Sequence, residues 1–194
     1  LHDIKASITP SMGGETILLG MSALKQIEFM QRGSNLTLRQ IPASKFNEHF
    51  LTIDIDSVVR YALAEDIGNG DITTQLIPAK KLVSARIISR EDGVLCGSPW
   101  VNRVFSQLDN SIAVKWQLNE SETFTANQVL AQIDGSARPI MSGERTALNF
   151  LQLLSGTASC TRELISRIEH TSAKLLDTHK TLPGLRSAQK YAVR

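Results

Sequence analysis

The sequence has 194 residues, of which 42% are hydrophobic and 21% are charged, which predicts a globular protein with its own core and argues against general disorder. Its formal net charge of +2 is too small to predict a nucleic-acid or membrane partner from the overall field. No apolar run approaches the ~20 residues that are needed to span a bilayer.

The first 45 residues carry mixed signals, and we predict an extension of unknown role there. Within it, residues 22–31 are predicted to form a helix. Beyond this segment, apolar residues begin to recur at helical spacing, which predicts a helix near 54–64 that opens the next domain. The first clear element of the fold is therefore expected after position 50.

Neither the acids that follow this helix nor the cysteines form a metal-binding pattern. Glu65, Asp66 and Asp71 lie in a Gly-rich loop, but their spacing does not match a calcium loop, so we predict helix-capping acids. Cys96 and Cys160 lack a CxxC partner. We therefore predict no metal site and a reduced cytoplasmic protein in which both thiols are small core residues.

Strand-like segments and one helix alternate over 46–140, which predicts an α+β domain. In SARIISREDGVLCG, β-branched residues and the pair Asp92-Gly93 predict two strands joined by a tight turn. Further strands are predicted in AVKWQL and FTANQVLAQIDG, and an amphipathic helix is predicted in SPWVNRVFSQL.

Over 141–194 the pattern changes to long helices, then a strand and a further helix. Leucine and isoleucine recur at near-heptad spacing in GERTALNFLQLLSGTASCTRELISRIEH, AKLLDT is predicted to be a buried strand, and SAQKYAVR is predicted to begin a helix. This order is how a parallel α/β barrel or sheet begins, and such folds bind ligands at the carboxyl ends of their strands. Thr178, His179 and Lys180 fall at that position.

Several cations near these elements are candidates for binding an anion. Arg145 is predicted in the first turn of a helix capped by Ser142, where the helix dipole disfavours a cation, so either a ligand or a surface acid is its expected partner. Arg186, Lys190 and Arg194 share one face of the last helix, which is either an anion site or a solvated face.

His179 leaves several alternatives open. Its imidazole could donate a hydrogen bond to a ligand carboxylate, act as a general acid or base, or pack in the loop without a chemical role. Lys180, which lies between two polar residues at the predicted strand end, is favoured as a binding residue. The residues alone do not separate these roles.

Four motifs in order resemble the quinolinate phosphoribosyltransferase family: EDIGNGDIT (65–73), REDGVLCG (90–97), SGERTALNFLQLLSG (142–156) and LDTHKTLPGLRSAQKYAV (176–193). The resemblance implies an N-terminal α/β sandwich domain followed by an α/β barrel, usually in a homodimer. It also implies transfer of phosphoribose from phosphoribosyl pyrophosphate to quinolinate, with Mg²⁺, to give nicotinate mononucleotide and CO₂ in NAD biosynthesis.

By the same resemblance, Arg145 matches the arginine that reaches across the dimer to a quinolinate carboxylate. Thr178, His179 and Lys180 fall on the substrate-binding tripeptide of the family, which normally has arginine at the position of His179. The guanidinium of arginine can bind a carboxylate through two parallel hydrogen bonds. Replacing it by a largely neutral imidazole is expected to cost on the order of 2–3 kcal/mol of binding free energy.

The resemblance also implies a chain that ends within the barrel domain. We therefore expect a truncated, weakly active or inactive form of the enzyme, with no catalytic residue assigned. Two alternatives stay open: a molybdenum-transport-associated homologue of the same superfamily, and a non-catalytic dimerisation or binding fragment.

Overall fold

The computed structural model describes residues 4–7, 27–32, 35–40, 48–68, 70–177 and 180–194, with side chains described from 54 onward except at 72 and 73. The chain divides into two compact units. The first consists of Leu1–His49 with Leu175–Lys180, and the second of Phe50–Lys174 with Thr181–Arg194.

The first unit contains an antiparallel sheet of three strands in the order β1-β3-β2. These are β1 (Ile4–Ser7), β2 (Ile27–Arg32) and β3 (Asn35–Gln40). The helix predicted over 22–31 is wrong for its described part, because β2 occupies those positions. A β-branched or aromatic residue at every second position, as at Ile27 and Phe29, favours a strand.

The second unit is built on the antiparallel sheet β4-β8-β6 and the small pair β5-β7. Its strands are β4 (Leu82–Ile88), β5 (Gly93–Val94), β6 (Ala113–Trp116), β7 (Thr123–Phe124) and β8 (Val129–Ser136). The helices of the chain are α1 (Glu48–Ile67), α2 (Ile72–Gln75), α3 (Ser98–Leu108), α4 (Ala137–Ile168) and α5 (Arg186–Ala192).

The helix predicted in SPWVNRVFSQL is confirmed as α3. Its apolar stripe meets α4 and the sheet in one core. The largest of its fully buried side chains are Trp100, Phe105, Leu95, Leu154, Val59, Val101 and Val104. Within the described ranges, no helix combines the length and the apolar character that crossing a bilayer would require.

The predicted hairpin in SARIISREDGVLCG is wrong, although both strands exist. β4 pairs with β8, whereas β5 pairs with β7. The Asp92 carboxylate accepts the Ala126 backbone N–H at 2.8 Å, and a Cβ on Gly93 would lie 2.7 Å from Phe124 Cζ. The Asp-Gly pair therefore supports close packing between segments instead of a two-residue turn.

The buried strand predicted in AKLLDT is also wrong over its described residues. Positions 173–177 have no regular secondary structure, and Leu176 is 74% exposed. A strand needs a neighbour to pair its backbone N–H and C=O groups, and no described strand pairs with this segment. An apolar run without such a neighbour does not become a strand.

The long helix α4 begins earlier than the sequence predicts. It starts at Ala137, directly after β8, with Ser136 at the N-cap. Pro139 is tolerated because the first turn of a helix leaves its N–H groups without intrahelical partners. Arg145 therefore lies in the third turn and Ser142 is not the cap, so the dipole argument for Arg145 does not apply. The helix runs unbroken through 140–141, where the domain boundary is predicted.

Two glycines of α4 make a matched pair for testing its packing. A Cβ on Gly143 would lie 2.7 Å from Leu108 Cδ1 and 3.1 Å from Phe105 Cε1, whereas a Cβ on Gly156 would meet nothing within 4 Å. Gly156→Ala is expected to raise the free energy of unfolding by about 1 kcal/mol through helix propensity. Gly143→Ala is expected to lower it by about 1 kcal/mol, because overpacking outweighs that gain.

Urea denaturation of both variants measures the difference. Equal stabilisation by the two substitutions would show that α3 and α4 do not pack as closely at Gly143 as the structure has them.

Candidate functional site

The second unit contains a cleft of about 560 Å³ between α1, α4 and the turn before α5. Its walls combine apolar side chains with two acids, an arginine and an asparagine. The lining residues are Val58, Tyr61, Ala62, Glu65, Asp66, Arg145, Thr146, Asn149, Phe150, Leu153, Pro183, Gly184 and Leu185. A concave site that offers apolar contact together with converging polar groups can bind a small molecule.

Arg145 carries the positive charge of this cleft. Its Nη1 donates to Asp66 Oδ1 at 2.8 Å, and its side chain is 76% exposed while that of Asp66 is 18% exposed. The buried hydroxyl of Thr146 donates to the second oxygen, Asp66 Oδ2, at 3.3 Å. One carboxylate therefore links two consecutive residues of α4 to the end of α1.

The other predicted site residues are not among those described as lining the cleft. Thr178 and His179 lie outside the described residues. Lys180 is described and exposed, and it belongs to the first unit, so it is not one of the residues that line the cleft. Of the basic series, Arg186 is exposed, whereas Lys190 is only 6% exposed, which excludes a solvated face at that position.

The prediction of helix-capping acids in this loop is confirmed at Asp71. Its Oδ1 accepts the Thr74 backbone N–H at 3.2 Å at the start of α2, and its Oδ2 accepts the Ser142 hydroxyl at 3.0 Å. Glu65 and Asp66 instead lie in the last turn of α1 and line the cleft. The role of Asp66 as the partner of Arg145 was not predicted, because pairing across 79 positions leaves no local signal.

A second polar centre lies at the start of α3. Glu120 Oε1 accepts the Gly97 and Ser98 N–H groups at 3.1 and 2.6 Å, which supplies the cap that the glycine at the N-cap cannot. The phenol of Tyr191 also hydrogen-bonds Glu120, and burial followed by the charge of Glu120 raises the pKa of Tyr191 above its usual range. Glu120 thus joins α3 to α5.

The two thiols differ. Burial, followed by the neighbouring charge of Glu120, raises the pKa of Cys96 to about 12, so that thiol stays protonated and inert. Cys160 is exposed, and its predicted place in the core is wrong. In the part of the chain that the structure describes, no three or more His, Cys, Asp or Glu side chains are grouped to hold a metal ion.

Family models identify the relationship. The N-terminal domain of quinolinate phosphoribosyl transferase matches residues 71–155, and the C-terminal domain of the same enzyme matches residues 157–194. The chain belongs to the quinolinate phosphoribosyltransferase family. Its resemblance to that family, inferred from four motifs, is thereby confirmed.

Curated members of the quinolinate phosphoribosyltransferase family match over the same region. A protein of Bacillus subtilis is 34% identical over 142 residues, which are 73% of this chain and 49% of the relative. One from Synechocystis is 39% identical over 73% of this chain and 48% of the relative. Both are described as probable nicotinate-nucleotide pyrophosphorylases (carboxylating). The chain spans about half the length of these relatives.

Solved structures of the family establish the fold. The nicotinate-nucleotide pyrophosphorylase of Francisella tularensis is 45% identical, with a TM-score of 0.70, over 73% of this chain and 51% of that one. The one from Ehrlichia chaffeensis is 35% identical, with a TM-score of 0.67, over 71% and 50%. The fold is therefore an α+β sandwich domain followed by the start of an α/β barrel, as predicted.

Proposed function

We propose that this protein transfers phosphoribose from phosphoribosyl pyrophosphate to quinolinate. In this reaction a bond forms between the ring nitrogen and the ribose carbon that loses pyrophosphate, and one carboxylate leaves as CO₂ while its ring carbon keeps the electron pair and takes a proton from water. The product is nicotinate mononucleotide, a precursor in NAD biosynthesis. Relatives that are described as nicotinate-nucleotide pyrophosphorylases and quinolinate phosphoribosyltransferases support this assignment.

The observation that carries the proposal is the exposed guanidinium of Arg145 in a cleft that has both apolar and polar walls. A flat aromatic ring with two carboxylates needs apolar contact for its faces and a cation for its edge. Arginine suits the second task because its planar fork matches a carboxylate in two parallel hydrogen bonds. We propose that Arg145 binds a quinolinate carboxylate in this way.

The remaining substrate contacts are proposed from the family motif. Thr178, His179 and Lys180 would bind the rest of quinolinate, with Lys180 as a point charge and His179 as a weaker donor than the arginine usual at that position. Several separate groups that hold one anion also fix its orientation. A fixed orientation keeps the ring nitrogen of quinolinate in line with the ribose carbon that it attacks.

The metal is proposed to arrive with the second substrate. Mg²⁺ is commonly held by phosphate oxygens with one or two carboxylates, where it neutralises charge on the leaving pyrophosphate. Among the described residues, no three or more His, Cys, Asp or Glu side chains are grouped around a metal site, and we assign no residue of this chain to the metal.

We also propose a cytoplasmic homodimer, in which the cleft that contains Arg145 and the substrate-binding tripeptide of the partner subunit together form one site. The domain limits that accompany this proposal are an extension over 1–45, the sandwich domain over 46–140 and the barrel domain from 141 onward. The continuity of α4 through 140–141 means that both domains would share one helix.

The test is formation of nicotinate mononucleotide from quinolinate and phosphoribosyl pyrophosphate, measured together with CO₂ release. We expect equal amounts of both products, a large loss with Arg145→Ala and no change with Glu163→Ala, which removes an exposed ion pair elsewhere on α4. Product formation that is unaffected by Arg145→Ala would contradict the assigned site. A folded protein that forms no product and binds no quinolinate would contradict the function.

A further inference from the structure

Asp66 lies where a carboxylate is electrostatically unfavourable. It belongs to the last turn of α1, close to the negative end of the helix dipole, and that turn contains no basic residue. Helix formation alone therefore gives no reason for an acid at this position. The reason lies in the residues that Asp66 contacts on α4.

Both carboxylate oxygens of Asp66 are engaged by α4. Oδ1 accepts Nη1 of Arg145 at 2.8 Å, and Oδ2 accepts the hydroxyl of Thr146 at 3.3 Å. Thr146 is 2% exposed, and the side chain of Asp66 is 18% exposed, so the carboxylate is held in one place by the packed part of the structure. Arg145 is the exposed member of the pair, with a side chain that is 76% exposed.

The contact leaves most of the guanidinium unused. Asp66 takes one N–H of Nη1, and among the described residues Asp66 is the ion-pair partner of Arg145. A guanidinium has five N–H donors, so the edge formed by Nε and Nη2 can still receive a carboxylate in two parallel hydrogen bonds. The ion pair thus restricts the rotamers of Arg145 without occupying its bidentate edge.

We propose that Asp66 is a positioning residue, which holds the Arg145 guanidinium at the cleft so that an arriving ligand carboxylate meets a fork that is already oriented. This inference rests on the proposed function, because it takes Arg145 as a ligand for a quinolinate carboxylate. The opposite role is physically distinct: an acid that merely competes with the ligand for Arg145 would weaken binding, and its removal would strengthen it.

A double-mutant cycle on the full chain tests the proposal, with quinolinate as the calorimetric probe. Asp66→Ala is expected to weaken binding about 2- to 10-fold, the range for immobilising one flexible side chain. In an Arg145→Ala background the same substitution is expected to change nothing, because Asp66 acts through Arg145. Asp66→Asn, which keeps an oxygen for Nη1, is expected to restore part of the affinity. Glu163→Ala is the matched control, since it removes an arginine partner elsewhere on α4.

The outcomes separate this inference from the proposed function. If Arg145→Ala weakens binding and Asp66→Ala does not, or if Asp66→Ala tightens it, the positioning role is overturned while the binding site stands. If Arg145→Ala leaves quinolinate binding unchanged, the proposed site is overturned together with the role of Asp66. Equal losses from Asp66→Ala in both backgrounds would assign Asp66 to general structure and overturn the inference.

The order of the Arg145 side chain without ligand tests the same role when a variant binds quinolinate poorly for other reasons. The ¹⁵N order parameter of the Arg145 Nε group is expected to fall in Asp66→Ala and to stay unchanged in Glu163→Ala. An order parameter that does not respond to Asp66→Ala would overturn the inference, because the guanidinium would then not be held by that carboxylate.

Discussion

Arg145→Ala is expected to weaken quinolinate binding about 30- to 150-fold, which corresponds to about 2–3 kcal/mol for a charge-assisted contact. The loss arises because a carboxylate that enters the cleft would keep its desolvation cost without a cation to offset it. Calorimetric titration of the variant and the parent chain with quinolinate measures the ratio.

One control variant and one contradicting outcome define the result. Arg145→Lys keeps the charge but loses the planar fork, so we expect an intermediate affinity. An Arg145→Ala variant that binds quinolinate as well as the parent, but dissociates more readily into monomers, would contradict the binding role. That outcome would favour the non-catalytic dimerisation module that the sequence left open.

Glu120→Ala is expected to lower the free energy of unfolding by about 3 kcal/mol, since bonds to a charged group contribute about 1.5–3 kcal/mol each. Glu120 Oε1 accepts the N–H groups of Gly97 and Ser98. Because Gly97 is buried, its backbone N–H would lose this acceptor without gaining a hydrogen bond to water. The carboxylate also complements the positive end of the α3 dipole. Chemical denaturation measures the change.

The neighbouring phenol supplies the matched comparison. Glu120→Gln keeps one acceptor oxygen and is expected to lose about half as much stability as Glu120→Ala. Tyr191→Phe removes the phenol that bonds Glu120 and is expected to cost about 1 kcal/mol. Glu120→Ala and Tyr191→Phe break the same hydrogen bond. The sum of their separate costs should therefore exceed the cost of the double variant. Full additivity would contradict the link between α3 and α5.

Elements whose signals are local could be predicted from the sequence. The amphipathic spacing in 98–108 gave α3 with its observed limits, since Trp100, Val101, Val104 and Phe105 repeat at helical intervals and all four are buried. The four family motifs likewise identified the fold, because each is a short run of residues. Such predictions need no knowledge of distant contacts.

Elements that depend on distant partners could not be predicted. Asp92-Gly93 resembles a hairpin turn, but the pairing of β4 with β8 and of β5 with β7 depends on strands 29 or more positions away. The apolar residues of 173–177 resemble a buried strand, yet a strand also requires a neighbour. The site shows the same limit, because Asp66 and Arg145 meet across 79 positions.

The central claim is that the cations of this protein bind a pyridine dicarboxylate, and competition between quinolinate and nicotinate tests it most directly. The two ligands differ by one carboxylate, so the ratio of their affinities reports how much the cations of the site contribute to binding the second carboxylate. We expect quinolinate to displace bound nicotinate and to bind at least about 10-fold more tightly, the ratio for one additional charged contact of about 1.4 kcal/mol. Equal affinity for the two acids, or tighter binding of nicotinate, would contradict the account.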